Sequence, residues 1–140
     1  MDYFNKKAIL YSEASNHFPW RILRSMEKKK FVSVLGVVKG KTALEYGAGT
    51  GFYSKVLIEE NIASLTVVDA SEEMLNNFVD SPNIFKICCF AEELNLKKKF
   101  DLIVSCGMLE FVKDPLPVLK NFHKHSKPET SLLVLLPRNS

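Results

Sequence analysis

The run Ala43-Leu44-Glu45-Tyr46-Gly47-Ala48-Gly49-Thr50-Gly51-Phe52-Tyr53 constrains this chain more than any other stretch. It reads as the end of a buried strand, a turn with glycine at alternate positions, and the start of a helix. Glycine is required where φ is positive or where backbone must lie against a ligand without an intervening Cβ. The amides at a helix start then face whatever the turn holds. An acidic residue, Glu45, stands two places before the first glycine, and Asp69 closes the next apolar run. This combination predicts a nucleotide-type site.

Apolar periodicity sets out the rest of the chain. A helix is expected over about 19–35, with Leu23, Met26, Val34 and Leu35 sharing a face and Gly36 as its stop. Strands are expected at 42–46, 65–68, 84–90, 100–105 and 131–136, the last ended by Pro137. Between them fall a helix over 52–60, with Phe52, Val56 and Leu57 inward, and one capped by Ser71 with a stripe of Met74, Leu75, Phe78 and Val79. A further helix begins at Asp114-Pro115, with Asp114 as cap and Leu116, Leu119 and Phe122 following. Alternating strands and helices predict an α/β fold: a doubly wound, mainly parallel sheet of about five strands with helices on both faces. Ligands then bind at the carboxyl ends of the strands. The expected organisation is one domain over 1–140, with 1–40 as a helical lid or cap and 41–140 as the core.

Bulk properties exclude several classes. A net charge of +3 without a basic stripe argues against nucleic acid as the partner. The runs Lys28–Lys30 and Lys97–Lys99 read as solvated faces. Cys88, Cys89 and Cys106 form no CxxC pair, so neither a disulfide framework nor a metal site is expected, and a reducing compartment fits. Asp2, Asn5, Lys6 and Lys7 interrupt any signal peptide, and no apolar run approaches the ~18 residues of a bilayer span, so the expected location is cytoplasmic.

The glycine spacing narrows the ligand. A dinucleotide fingerprint needs G-x-G-x-x-G, and Phe52 occupies the place of its third glycine. No Gly-Lys-Ser/Thr follows, so a phosphate loop is excluded. Glu45 would repel a pyrophosphate and suits a ligand with a cationic end.

At these residues the chain resembles the class I, Rossmann-like S-adenosylmethionine-dependent methyltransferases. Glu45-Tyr46-Gly47-Ala48-Gly49-Thr50-Gly51 matches their E/D-x-G-x-G-x-G motif, and Asp69-Ala70-Ser71-Glu72-Glu73-Met74-Leu75 matches the segment ending strand two. Phe100-Asp101-Leu102-Ile103-Val104-Ser105 with Leu109-Glu110-Phe111-Val112-Lys113-Asp114-Pro115 resembles the corresponding block of the small-molecule, quinone-biosynthesis-like members. The resemblance covers about 40–137. It implies S-adenosylmethionine as cofactor and S-adenosylhomocysteine as product. Gly47, Ala48 and Gly49 would lie against the methionine part, within the loop that Gly51 completes, and Glu45 would face its ammonium, directly or through water. Asp69 would accept from both ribose hydroxyls. Ala70 and Met74 would flank the adenine, Ala91 and Glu92 would lie at its edge, and Cys106 would stand near the methyl path.

The resemblance has departures. Phe90 replaces the Asp that relatives often place before the Ala-Glu pair, and Phe111 replaces the histidine of their "LEHV". The family's sheet has seven strands, whereas this sequence supplies five. Strand five is then expected to be an open edge, covered by a second copy, by a partner or by the amino-terminal segment, or left open by truncation. Tyr3, Phe4, Tyr11, Phe18 and Trp20 are expected either as a lid over the cofactor or as core aromatics. No catalytic residue is assigned. His17 is the candidate base, while His123 and His125 late in a helix suit its negative end. Arg24 either reaches the cofactor carboxylate or pairs with Glu27. The strand-four turn Ser105-Cys106-Gly107-Met108 lacks the motif of amino-methylating nucleic-acid enzymes, so the expected acceptor is a small organic molecule. The rival reading is a non-catalytic cofactor-binding subunit that needs a partner or further strands.

Overall fold

The computed structural model describes residues 18–78 and 80–136, with side chains from residue 21 onward. Five strands, β1 (Thr42–Tyr46), β2 (Ser64–Asp69), β3 (Ile84–Cys88), β4 (Phe100–Cys106) and β5 (Ser126–Leu135), form one sheet in the order β3-β2-β1-β4-β5. Every pairing is parallel. The helices are α1 (Phe18–Leu35), α2 (Phe52–Glu59), α3 (Glu72–Asn76) and α4 (Leu116–Lys124), with 3-10 turns at Ala91–Glu93 and Leu109–Phe111. The order reverses at β1, so the loops after β1 and β4 diverge to opposite sides and leave a crevice at their carboxyl ends. Among the described residues, no helix is long and apolar enough to cross a membrane.

The sheet is apolar on both faces because both are covered. Ala43, Leu65, Val67, Leu102 and Val104 pack beneath Phe31 and Leu35 of α1, Val56 and Leu57 of α2, and Leu75 of α3. On the other face Leu44, Tyr46, Val68, Phe100 and Ile103 meet Val118 and Phe122 of α4, with Leu94 from the loop before β4. Such burial, at roughly 25 cal/mol per Å² of apolar surface, is what makes near-continuous apolar strands favourable.

Two helices bury only part of the stripe their periodicity predicts: Leu35 of α1 and Phe122 of α4 face inward as expected, and the other residues named do not. Leu23, Met26 and Val34 of α1 are 47%, 62% and 54% exposed, and Phe31 docks the helix together with Leu35. Phe31 stacks on Tyr53 with ring centroids 4.9 Å apart, and Lys28 pairs with Glu59 at 2.7 Å. In α4, Leu116 and Leu119 are exposed while Val118, Asn121 and Phe122 are buried. A polar residue, Asn121, lies on the inner stripe, and this displaces the apparent apolar period. Val79 and Pro137 lie outside the described residues.

Local chemistry accounts for the element ends. Asn61 terminates α2 with φ +64°, and the Ser71 hydroxyl accepts from Met74 N–H at the start of α3. Pro115, not Asp114, is the cap residue of α4. Asp114 Oδ1 still accepts from Leu116 N–H at 3.1 Å, one place earlier than expected. β5 begins five residues before the expected start, through an irregular pairing with β4 between Phe100 and Leu102. Pro128, with no N–H to offer, falls in that stretch, where Thr130 Oγ1 donates to Phe100 O. Among the described residues β5 pairs only with β4, which leaves an open edge, as expected.

The docking of α1 gives a direct prediction. Phe31→Ala is expected to cost about 3–5 kcal/mol in urea unfolding, as for a fully buried aromatic, and Leu23→Ala no more than about 0.5 kcal/mol. The reverse order would mean that α1 docks by the face its sequence period suggests.

Candidate cofactor site

The loop after β1 is held by backbone and by one carboxylate. Gly47 N–H donates to Val68 O at 2.7 Å, and Gly51 N–H to Ala48 O at 3.1 Å. Asp69, at the end of β2, accepts from Gly49 N–H through Oδ2 and from Ser71 N–H through Oδ1, each at 2.8 Å. Each carboxylate oxygen has about two lone-pair sites, so both keep capacity for a further donor. Two glycines are needed for packing as much as for any ligand. A Cβ on Gly47 (φ +69°) would stand 2.5 Å from Met108 Cβ, and one on Gly51 (φ +93°) 2.5 Å from the Phe78 ring.

Above this loop lies a cavity of about 380 Å³, within the range of small-molecule sites. Gly47, Ala48, Gly49, Asp69, Ala70, Met74, Ala91, Glu92 and Cys106, all singled out in the sequence, line it. They come from the carboxyl ends of β1, β2 and β4, from the 3-10 turn after β3 and, for Met74, from α3. Glu45 and Gly51 do not line it. Gly51 is turned toward Phe78 instead.

Glu45 is 1% exposed and lies on the α1–α2 face of the sheet, where Ser54 Oγ of α2 donates to its Oε1. Burial pushes this carboxyl up to about 8; the Ser54 bond opposes the shift and the nearby Asp69 charge adds to it. Direct contact with a ligand's ammonium is therefore not built into the cavity wall. The carboxyl instead ties β1 to α2 from beneath the loop. The Cys106 thiol is also raised, by burial and then by Glu45, and stays protonated.

Several contributors were not singled out in the sequence. Phe52, Tyr53, Met108, Glu110 and Phe111 line the cavity beside Arg24. Arg24 pairs with Glu27 at 3.0 Å, its guanidinium lies 4.4 Å from the Phe52 ring centre, and Tyr53 Oη donates to Glu27 Oε2 at 3.2 Å. Arg24 thus forms the expected pair with Glu27 and also lines the cavity. His125 stands at the carboxyl end of α4, as expected. It is fully buried, its Nε2 accepts from Leu96 N–H at 3.0 Å, and its Nδ1–H therefore donates to Asn121 O at 2.8 Å. Burial holds its pKa below the usual histidine range. Tyr3, Phe4, Tyr11 and His17 lie outside the described residues, as do the side chains of Phe18 and Trp20. Among the described residues, no three His, Cys, Asp or Glu side chains could jointly hold a metal ion.

A glycine loop, a strand-end carboxylate and an apolar wall around one crevice agree with the comparisons to known proteins. A family model described as a methyltransferase domain matches residues 22–140. The chain belongs to this family. It is 32% identical over 94 residues to a malonyl-[acyl-carrier protein] O-methyltransferase of Priestia megaterium, covering 64% of this chain and 34% of that protein. It is 30% identical over 97 residues to a tRNA U34 carboxymethyltransferase of Nautilia profundicola, covering 65% and 32%. The chain therefore spans about a third of the length of either relative. In fold it matches the Haemonchus contortus phosphoethanolamine N-methyltransferase 1 solved with phosphoethanolamine and S-adenosylhomocysteine. The TM-score is 0.77 at 19% identity, over 94% of this chain and 31% of that one. The methyltransferase domain thus has the fold of this solved methyltransferase, built here on a five-stranded, wholly parallel Rossmann-like sheet.

The site's own geometry fits that cofactor. The cavity has the volume for it, Asp69 has an open acceptor site on each oxygen, and Met74 offers a soft, polarisable wall.

Buried Glu45 makes stability depend on pH. Its folded pKa is about 8 against 4.5 unfolded, so the unfolded chain releases the proton first as pH rises. This group's contribution to stability is fully present below 4.5 and is lost progressively between 4.5 and 8, by up to about 1.4 kcal/mol per pH unit. Glu45→Gln is expected to flatten urea stability over that window. An unchanged pH dependence would mean that the carboxyl ionises freely in the fold.

Proposed function

We propose that this methyltransferase domain binds S-adenosylmethionine in the crevice at the ends of β1, β2 and β4 and transfers its methyl group to a small organic acceptor. The observation that carries the reading is Asp69, set between the glycine loop and the start of α3 with lone pairs still open on both oxygens. The cofactor supplies a methyl group already activated by a sulfonium, so the chain's task is binding and alignment.

The residues divide that task. Asp69 accepts from the ribose hydroxyls. Gly47, Ala48 and Gly49 present backbone to the amino-acid part. Ala70 and Met74 flank the adenine, and Ala91 and Glu92 stand at its edge. Cys106, kept as a neutral thiol, lies by the methyl path without competing as a nucleophile. Glu45 acts from below by holding α2 to β1, and Gly51 by admitting Phe78. Residues 1–40 serve as a cap on 41–140; their described part carries Arg24 to the cavity rim.

The apolar rim of Phe52, Tyr53 and Phe111 supports a small organic acceptor. The names of the relatives, which mention an acyl-carrier protein and a tRNA, support a second reading in which the acceptor is borne on a macromolecule. The open β5 edge supports a strand or partner chain completing the sheet, as in the cofactor-binding-subunit reading.

Calorimetric titration with S-adenosylhomocysteine tests the core of this assignment. Asp69→Ala is expected to weaken binding roughly 10- to 100-fold, the range for lost hydrogen bonds to a charged group. It should also lower thermal stability modestly, because the Gly49 and Ser71 amides lose their acceptor. Unchanged affinity in Asp69→Ala would remove the ribose assignment.

A further inference from the structure

A buried polar chain crosses the face of the sheet opposite Glu45, and nothing in the methyl-transfer chemistry accounts for it. Tyr46, the residue immediately before Gly47, points into the α4 side of the core and is fully buried. Its hydroxyl donates to Asn121 Oδ1 and lies 3.3 Å from His125 Nδ1, while its ring packs edge-on against Phe122 at 4.8 Å. Asn121 Nδ2 in turn donates to Leu94 O at 2.6 Å, and His125 Nε2 accepts from Leu96 N–H at 3.0 Å. Both side chains therefore grip the backbone of one short segment from one helix. Leu94 closes the grip by burying its side chain in the same core.

That segment leads directly out of the cavity wall. Ala91 and Glu92 line the cavity, Glu93 N–H donates to Phe90 O at 3.0 Å, and Leu94 follows at once. Among the described residues, the backbone between Ala91 and Leu96 is otherwise tied by the Phe90–Glu93 turn bond and by the Asn121 and His125 bonds. A loop wall with so few ties needs an anchor if it is to meet a ligand at a fixed distance. A buried, fully satisfied polar network supplies one at high cost if any member is lost.

We propose that Tyr46, Asn121 and His125 are positioning residues that anchor the Ala91–Leu96 segment and so fix the adenine edge of the cofactor site relative to the glycine loop. The inference rests on the cofactor reading above. Tyr46 gives the link its direction: one residue of β1 carries both the start of the glycine loop and the first hydrogen bond of the network. The two walls that grip opposite ends of an adenosyl ligand are thereby referred to the same strand.

The test combines S-adenosylhomocysteine titration with amide hydrogen exchange on the whole chain. Asn121→Asp keeps the acceptor for Tyr46 and the size of the side chain but removes the donor to Leu94 O. It is expected to speed exchange at 91–96 at least about tenfold, to leave β1 and β4 amides slow, and to weaken binding about tenfold, the scale of one buried hydrogen bond. Tyr46→Phe keeps the ring against Phe122 and breaks only the link to the strand. A smaller loss, about threefold, is expected, again with faster exchange confined to 91–96; this variant decides the matter if Asn121→Asp does not fold. Unchanged affinity in the folded variants would overturn the proposal, as would weaker binding without faster exchange at 91–96. Failure of the unaltered chain to bind would instead overturn the cofactor reading itself.

Discussion

The Asp69 carboxylate is the constraint on which the rest of this site depends. Its two oxygens accept from Gly49 and Ser71 amides that belong to different loops, one after β1 and one after β2. Backbone amides left without partners at loop and helix starts cost free energy, and a single anion at the strand end satisfies both. The crevice therefore exists in a defined shape before any ligand enters. Each of the anion's oxygens keeps acceptor capacity beyond these two bonds, which the proposed assignment gives to the ribose diol.

The remaining supports fall on the two faces of the sheet. On one, Glu45 and Ser54 lock β1 to α2, and Gly51 yields its Cβ volume to Phe78. On the other, Tyr46, Asn121 and His125 lock β1 to α4 and to the loop before β4. Glu45 and Tyr46 are adjacent in sequence and point to opposite faces because a strand alternates. β1 thus carries the glycine loop between two buried polar anchors. Leaving either half-satisfied would be costly, since buried polar groups lose water as well as their partners.

Legibility in the sequence followed the physics of each feature. Strand positions and the parallel α/β arrangement were readable because apolar runs, caps and glycine turns are local signals. Gly47, Gly49, Asp69 and Met74 were readable because they stand at fixed offsets from those signals. The inner faces of α1 and α4 were readable only in part. In α1, apolar residues are spread round the helix, and only the tertiary position of Tyr53 selects Phe31 over Leu23 and Met26. In α4, Asn121 occupies a core position that a hydrophobic pattern scores as surface. His125 looked like a group attracted to a helix end, because its partner Leu96 N–H lies 29 residues away in the chain. The same distance hid the role of Tyr46.

The central claim is that a preformed crevice between the β1, β2 and β4 ends accepts an adenosyl ligand. A titration of the isotopically labelled chain with S-adenosylhomocysteine, followed by backbone amide NMR, tests it most directly. The account predicts saturable shifts concentrated at residues 47–50, 69–71, 91–92 and 106–108, with the β3 and β5 edges unmoved. An absence of shifts at saturating ligand, or shifts confined to surfaces away from the Asp69 carboxylate, would contradict it.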